Sequence, residues 1–238
     1  PEEFSLGIKE AVQIACRTFA GAMHELDDLK FCIIKNKTDF SFITSDNPAV
    51  LTNRWQIDNG KTNGLSFGIG SAGILALLPL TPKLLLLGYD GDVYSVPNEN
   101  GIVEIRSTRD AIALNRHQFL QCVANVYVHE VAHEEALMKH YSEIESARPK
   151  ARHLVHYAQI DRMIGNHTRY VVIPSEERDK TKEAIMHSQV IHPNPGMWPS
   201  QIKIRPNGSV YTNGTGMGYV RFSRTVMAHG PAFKRERT

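Results

Sequence analysis

Residues 73–90 read GILALLPLTPKLLLLGYD, and this run limits the fold more than any other part of the chain. A run this apolar forms a membrane helix or buried strands. A membrane helix needs about 20 apolar residues in succession. Here Pro79, Pro82 and Lys83 interrupt the run. Two short buried strands joined at Thr81-Pro82 remain, so the chain must build a covered sheet.

The flanking segments alternate between helical and extended spacing. SLGIKEAVQIACRTFAGAMHEL, with Ile8, Val12, Ala15, Phe19 and Met23, predicts a helix over 5–25 capped by Ser5. KFCIIKN and DFSFITS predict a hairpin turning at Asn36–Asp39, and AVLTN a further short strand. Residues 54–73 are rich in Gly, Asn and Ser and predict a long loop. Gly68, Gly70 and Gly73 spell G-x-G-x-x-G, but a dinucleotide site needs a helix after it, and an apolar run to Pro79 follows. DGDVYSV and GIVEIRS predict short strands, and TRDAIALNRHQFLQCVANVYVH a long helix with Asp110 at its positive end. EEALMKHYSEIES and KARHLVHYAQIDRMI predict two more helices, TRYVVIP a strand, and SEERDKTKEAIMHSQ opens on a capping pattern. QIKIR and SVYT flank Pro206-Asn207-Gly208 and predict a C-terminal β-hairpin. The expectation is an α+β fold with a largely antiparallel sheet, packed helices and a small C-terminal β appendage. The predicted division is 1–192 for the mixed domain and 193–238 for the appendage.

Over 238 residues the formal net charge is +2, which gives no broad electrostatic case for nucleic acid or a membrane surface. The basic tail FKRERT reads as a solvated charge run. Three cysteines, Cys16, Cys32 and Cys122, fall in no Cys-x-x-Cys motif and read as small core residues with reduced thiols, which predicts a cytoplasmic setting. The first residue is Pro1 rather than Met, which suggests processing, trimming or a fragment.

Three stretches together resemble the C-terminal part of the bacterial DUF4238 family. They are Thr44-Ser45-Asp46-Asn47-Pro48, then Pro79-Leu80-Thr81-Pro82, then a helix with Asn115 running into Asn125-Val126-Tyr127-Val128. The resemblance covers about residues 5–130. It implies a placement and no reaction, because the family is uncharacterised. The family's usual His-His-x-x-Pro-x-Phe/Tyr segment does not occur in this sequence. If that segment contributes to the family's site, this chain lacks the site or has lost it by trimming.

Pro48 pushes Asn47 toward extended geometry, so Ser45, Asp46 and Asn47 are displayed at a strand end. Asp46 there can orient a base or ligate a metal, or its carboxylate can simply build the turn. YVHEVAHEEALMKHY contains His129-Glu130-x-x-His133, the spacing of a zinc peptidase helix. The expectation is that it is not a catalytic zinc site. Glu135 stands where an apolar residue belongs, no third-ligand motif follows, and the resemblance breaks the helix near His129. In RPKARHLVHY, a face bearing Arg148, Lys150, Arg152, His153 and His156 is either solvated or meets a phosphate or an acidic partner. Trp198 reads as a packing anchor. No motif specifies a cofactor.

Three readings compete. One is a hydrolase or nuclease-like enzyme with Asp46 as central acid, flanked by Ser45 and Asn47 and completed by Asn115 and His117. The second is a non-catalytic binding or interaction module, such as one component of a bacterial defence or toxin-type system. The third, least favoured, is the zinc peptidase. The first requires Asp46, Asn115 and His117 to converge on one pocket.

Overall fold

The computed structural model describes residues 10–61, 67–130, 134–151, 153–165, 167–179, 181, 184–212, 218–221 and 233–238. Its centre is a five-stranded sheet built from β1 (Leu29–Asn36), β3 (Val50–Thr52), β4 (Leu75–Thr81), β5 (Leu84–Asp90) and β7 (Ile102–Ile105). The strand order is β3-β4-β5-β1-β7. Every neighbouring pair is antiparallel except β1 and β7. The apolar run of residues 73–90 does form the two central strands, turning at Thr81-Pro82. Register puts Leu77 beside Leu87, Leu87 beside Cys32, and Ile34 beside both Leu85 and Val103. These side chains share one face because strand side chains alternate, and all are buried in the main core.

That face is covered by α3 (Thr108–Gln121), which contributes Ala111 and Leu114 to the same core. The helix is buried almost all round, although Asp110, Asn115, Arg116, His117 and Gln118 are among its buried residues. Buried polar groups need partners, and most of these side chains find theirs in the surrounding loops. Asp110 accepts from Ser200 N at 2.8 Å, Ser200 Oγ at 3.0 Å and Gln201 Nε2 at 3.0 Å. Arg116 meets Glu143 at 2.9 Å.

Several local expectations are overturned. The turn at Asn36–Asp39 exists, held by Asn36 Nδ2 donating to the Phe40 carbonyl, but it closes no hairpin. β1 pairs with β5 and β7 instead, and only β2 (Thr44–Ser45) of the following segment is a strand, paired with β8 (Val126–Tyr127). The loop over 54–73 contains a short helix, α2 (Arg54–Asp58), capped by Asn53 Oδ1 accepting from Gln56 N. The helix α1 (Ala11–Ala22) forms, but residues 12–21 are all exposed, so it is not packed on the sheet. Ser5 lies outside the described residues. Cys16 is exposed, while Cys32 and Cys122 are buried as expected.

After α4 (Glu134–Ser142), the predicted helix over 150–164 gives way to the long strand β9 (His153–Ile164). It lies between β10 (His167–Ile173) and β11 (Ala184–Val190) in a separate antiparallel sheet. The capping pattern at Ser175 yields only a single 3-10 turn, Ser175–Glu177. QIKIR and SVYT become β12 (Lys203–Ile204) and β13 (Ser209–Thr212) but do not pair together. β12 joins β6 (Tyr94–Ser95), and β13 joins β14 (Tyr219–Val220) and β15 (Lys234–Arg237), the last formed by the basic tail. Ile202 and Val210 belong to the main core. The architecture is α+β with mostly antiparallel sheets. Among the described residues no helix is long and apolar enough to cross a membrane.

Candidate functional site

The polar residues of residues 44–48 meet α3 and the turn after it. Asn115, Gln118 and Gln121 recur every three positions along the helix and reach back to one stretch of chain. Asn115 accepts from Ile43 N at 3.1 Å and donates to the Ser41 carbonyl at 2.9 Å. Ser45 Oγ donates to Gln118 Oε1 at 2.9 Å, and Gln118 Nε2 donates to the Pro48 carbonyl at 2.8 Å. Asn47 Nδ2 donates to the Gln121 carbonyl at 3.1 Å, and Gln121 Nε2 donates to the Leu51 carbonyl at 3.1 Å. Gln118 and Gln121 were missed in the sequence, yet their spacing from Asn115 was the available signal.

Asp46 sits where α3 ends. Its carboxylate accepts three successive backbone N–H groups, from Val123 at 2.7 Å, Ala124 at 2.7 Å and Asn125 at 2.9 Å. Its own N–H donates to the Asn125 carbonyl at 3.2 Å. The N–H groups of residues 123–125 lie beyond the helix in a turn, and successive N–H groups that point together attract a negative charge. Asp46 supplies that charge and fixes β8 against β2. The residue is nevertheless exposed.

His117 is not brought to this junction. Two positions from Asn115, it points from the opposite side of the helix and lies with its ring centroid 5.0 Å from Trp198. Burial alone pushes its pKa down to about 3. Trp198 packs against the core and donates Nε1–H to Asp58 at 3.1 Å. His129 and Glu130 follow β8 in a non-helical, exposed stretch; His133 lies outside the described residues. His129 and Glu130 therefore do not share a helix turn, and among the described residues no group of three or more His, Cys, Asp or Glu side chains could hold a metal.

Two clefts flank the junction. On one side is a groove of about 230 Å³ lined by residues 42–44, 79–82 and 127–129. Its walls come from the three stretches singled out in the sequence: Thr44, the Pro79–Pro82 turn, and Tyr127 with Val128. Leu80, Tyr127 and Val128 expose their apolar side chains at its rim. On the other side is a cleft of about 540 Å³ lined by Asn47, the end of α3, Glu145, residues 148–150, His153 and the chain at 190–193.

The model of one family, described as a protein of unknown function (DUF4238), matches residues 4–131. No curated protein and no solved structure matches the chain.

Proposed function

The chain belongs to the family described as a protein of unknown function (DUF4238), and from that premise we propose that it is a non-catalytic binding module whose groove receives an apolar side chain of a partner protein. The observation that carries this reading is convergence. Three stretches separated by tens of residues, all inside the matched region, line one groove. Its volume of about 230 Å³ falls below the roughly 300–1,000 Å³ typical of small-molecule sites and suits a single side chain. The lining is mostly apolar, with Thr44, Thr81 and His129 as the polar groups at hand.

How the polar groups of the turn are used favours binding over hydrolysis. Ser45, Asp46, Asn47 and Asn115 all bond within the chain, and these bonds position the walls of the groove. A general base must reach the proton it takes, and His117 stands on the far side of α3. Asp46 serves as a positioning residue for β8, and Leu80 and Tyr127 as contacts for the partner.

The test is titration of the isotope-labelled protein with N-acetylated, C-amidated leucine, phenylalanine and alanine. The leucine or phenylalanine derivative should give saturable shifts at Leu80, Thr81 and Val128, and the alanine derivative should not. Leu80→Glu should abolish the response while leaving the thermal midpoint in place. Shifts scattered over the exposed strands β9–β11, or none at Leu80 and Val128, would overturn the reading.

A further inference from the structure

The second cleft carries an inference independent of the groove. Arg148 lies half-buried at the end of α3. Its Nη2 donates to the carbonyls of Cys122 at 3.2 Å and Val123 at 3.0 Å, and its guanidinium stands 5.8 Å from the centre of the Phe119 ring. The carbonyl end of a helix favours a cation, so one edge of the guanidinium is anchored and the fork is held in one orientation. Among the described residues, its Nε and Nη1 have no hydrogen-bond partner, and Lys150, two residues on and lining the same cleft, has no hydrogen bond or ion pair. The volume of about 540 Å³ falls in the range of roughly 300–1,000 Å³ typical of small-molecule sites.

We infer that this cleft binds a phosphate group of a small molecule between Arg148 and Lys150. An oriented guanidinium offers paired N–H groups to phosphate oxygens, and a lysine adds a mobile point charge. Glu145 also lines the cleft and opposes an anion. Holding an anion against that carboxylate takes both cations, and it favours a doubly charged phosphate over a singly charged carboxylate. The nearby Asp46 carboxylate is engaged by three N–H donors, which offset its charge. Lys150 and His153, part of the stretch legible in the sequence as a face that could meet phosphate, are thus set on a loop and the start of a strand rather than on a helix.

The experiment titrates the full chain with inorganic phosphate at pH 7.5 and constant ionic strength, following backbone amide shifts, with acetate as the comparison. Saturable shifts are expected at Val123, Arg148 and Lys150 with phosphate and not with acetate. Lys150 is exposed and unpaired, so Lys150→Ala should fold normally and weaken binding about fivefold, with Glu145→Gln strengthening it by a similar factor. Arg148→Gln should abolish binding; if it fails to fold, the Lys150 and Glu145 variants decide. Non-saturable shifts, an equal response to acetate, or affinity unchanged in both Lys150→Ala and Glu145→Gln would overturn the inference.

Discussion

Replacing Asp46 by Ala tests whether its carboxylate holds the junction between α3 and β8. The substitution leaves the N–H groups of Val123, Ala124 and Asn125 without their common acceptor. Hydrogen bonds to a charged group contribute about 1.5–3 kcal/mol each when water is excluded. Here Asp46 and all three donor residues are exposed, so water can replace the lost acceptor and the lower net figure of roughly 0.5–1 kcal/mol per bond applies. Three bonds then give a loss of about 2 kcal/mol. For a chain of this size each kcal/mol shifts the midpoint by roughly 2–4 °C, so Asp46→Ala should melt about 4–8 °C lower. Asp46→Asn keeps one acceptor oxygen and should lose about half as much. Hydrogen exchange localises the effect: the amides of residues 123–125 should exchange faster while those of β4 and β5 keep their order of protection. A melting temperature unchanged within a degree, together with unchanged exchange at 123–125, would refute the reasoning.

Two further outcomes follow from groups outside the junction. Burial holds His117 at a pKa of about 3 and, as the larger of two effects, His192 at about 4, whereas an unfolded histidine titrates near 6.5. Below pH 6.5 the unfolded chain takes protons that the folded chain refuses, so stability falls as pH drops from 6.5 toward those values. Urea midpoints measured at pH 7 and pH 5 should therefore converge in His117→Phe by about 2 kcal/mol relative to the parent chain, and an identical pH slope would refute this. Gly73 has φ +76, and a Cβ there would stand 2.7 Å from Asn53 Oδ1 and 3.2 Å from Trp55 Cβ. Gly73→Ala combines left-handed backbone strain with overpacking, roughly 2–4 kcal/mol together, and an unchanged urea midpoint would show that the close approach does not matter.

What the sequence disclosed follows from the range of the physics involved. The central strands were legible because prolines and a lysine exclude every other use of so apolar a run. The display of Ser45, Asp46 and Asn47 was legible because Pro48 restricts its neighbour locally. Their partners were not, since the donors to Asp46 lie 77 to 79 residues away. β9 misled for a different reason. Leu154, Tyr157, Ala158 and Ile160 fit a helical stripe, and only pairing with β10 and β11 selects the extended form.

The helix α3 holds the sharper lesson. An amphipathic pattern assigns polar residues to solvent, and by that rule Asn115 and His117 look equally available to a site. Yet positions two apart project to opposite sides of a helix, so the spacing alone forbids them one pocket. The same geometry groups Asn115 with Gln118 and Gln121, and those three do act together on residues 41–51. A helix with polar residues on every face has two fates, exposure or burial with each polar group engaged. The choice depends on whether loops exist to supply the partners. Here residues 41–51 and 195–201 supply partners for Asp110, Asn115, Gln118 and Gln121, and Glu143 meets Arg116, whose Nε is left without one. Two loops fixed to one helix leave little freedom at its end, and that is where Asp46 closes the turn between the two clefts.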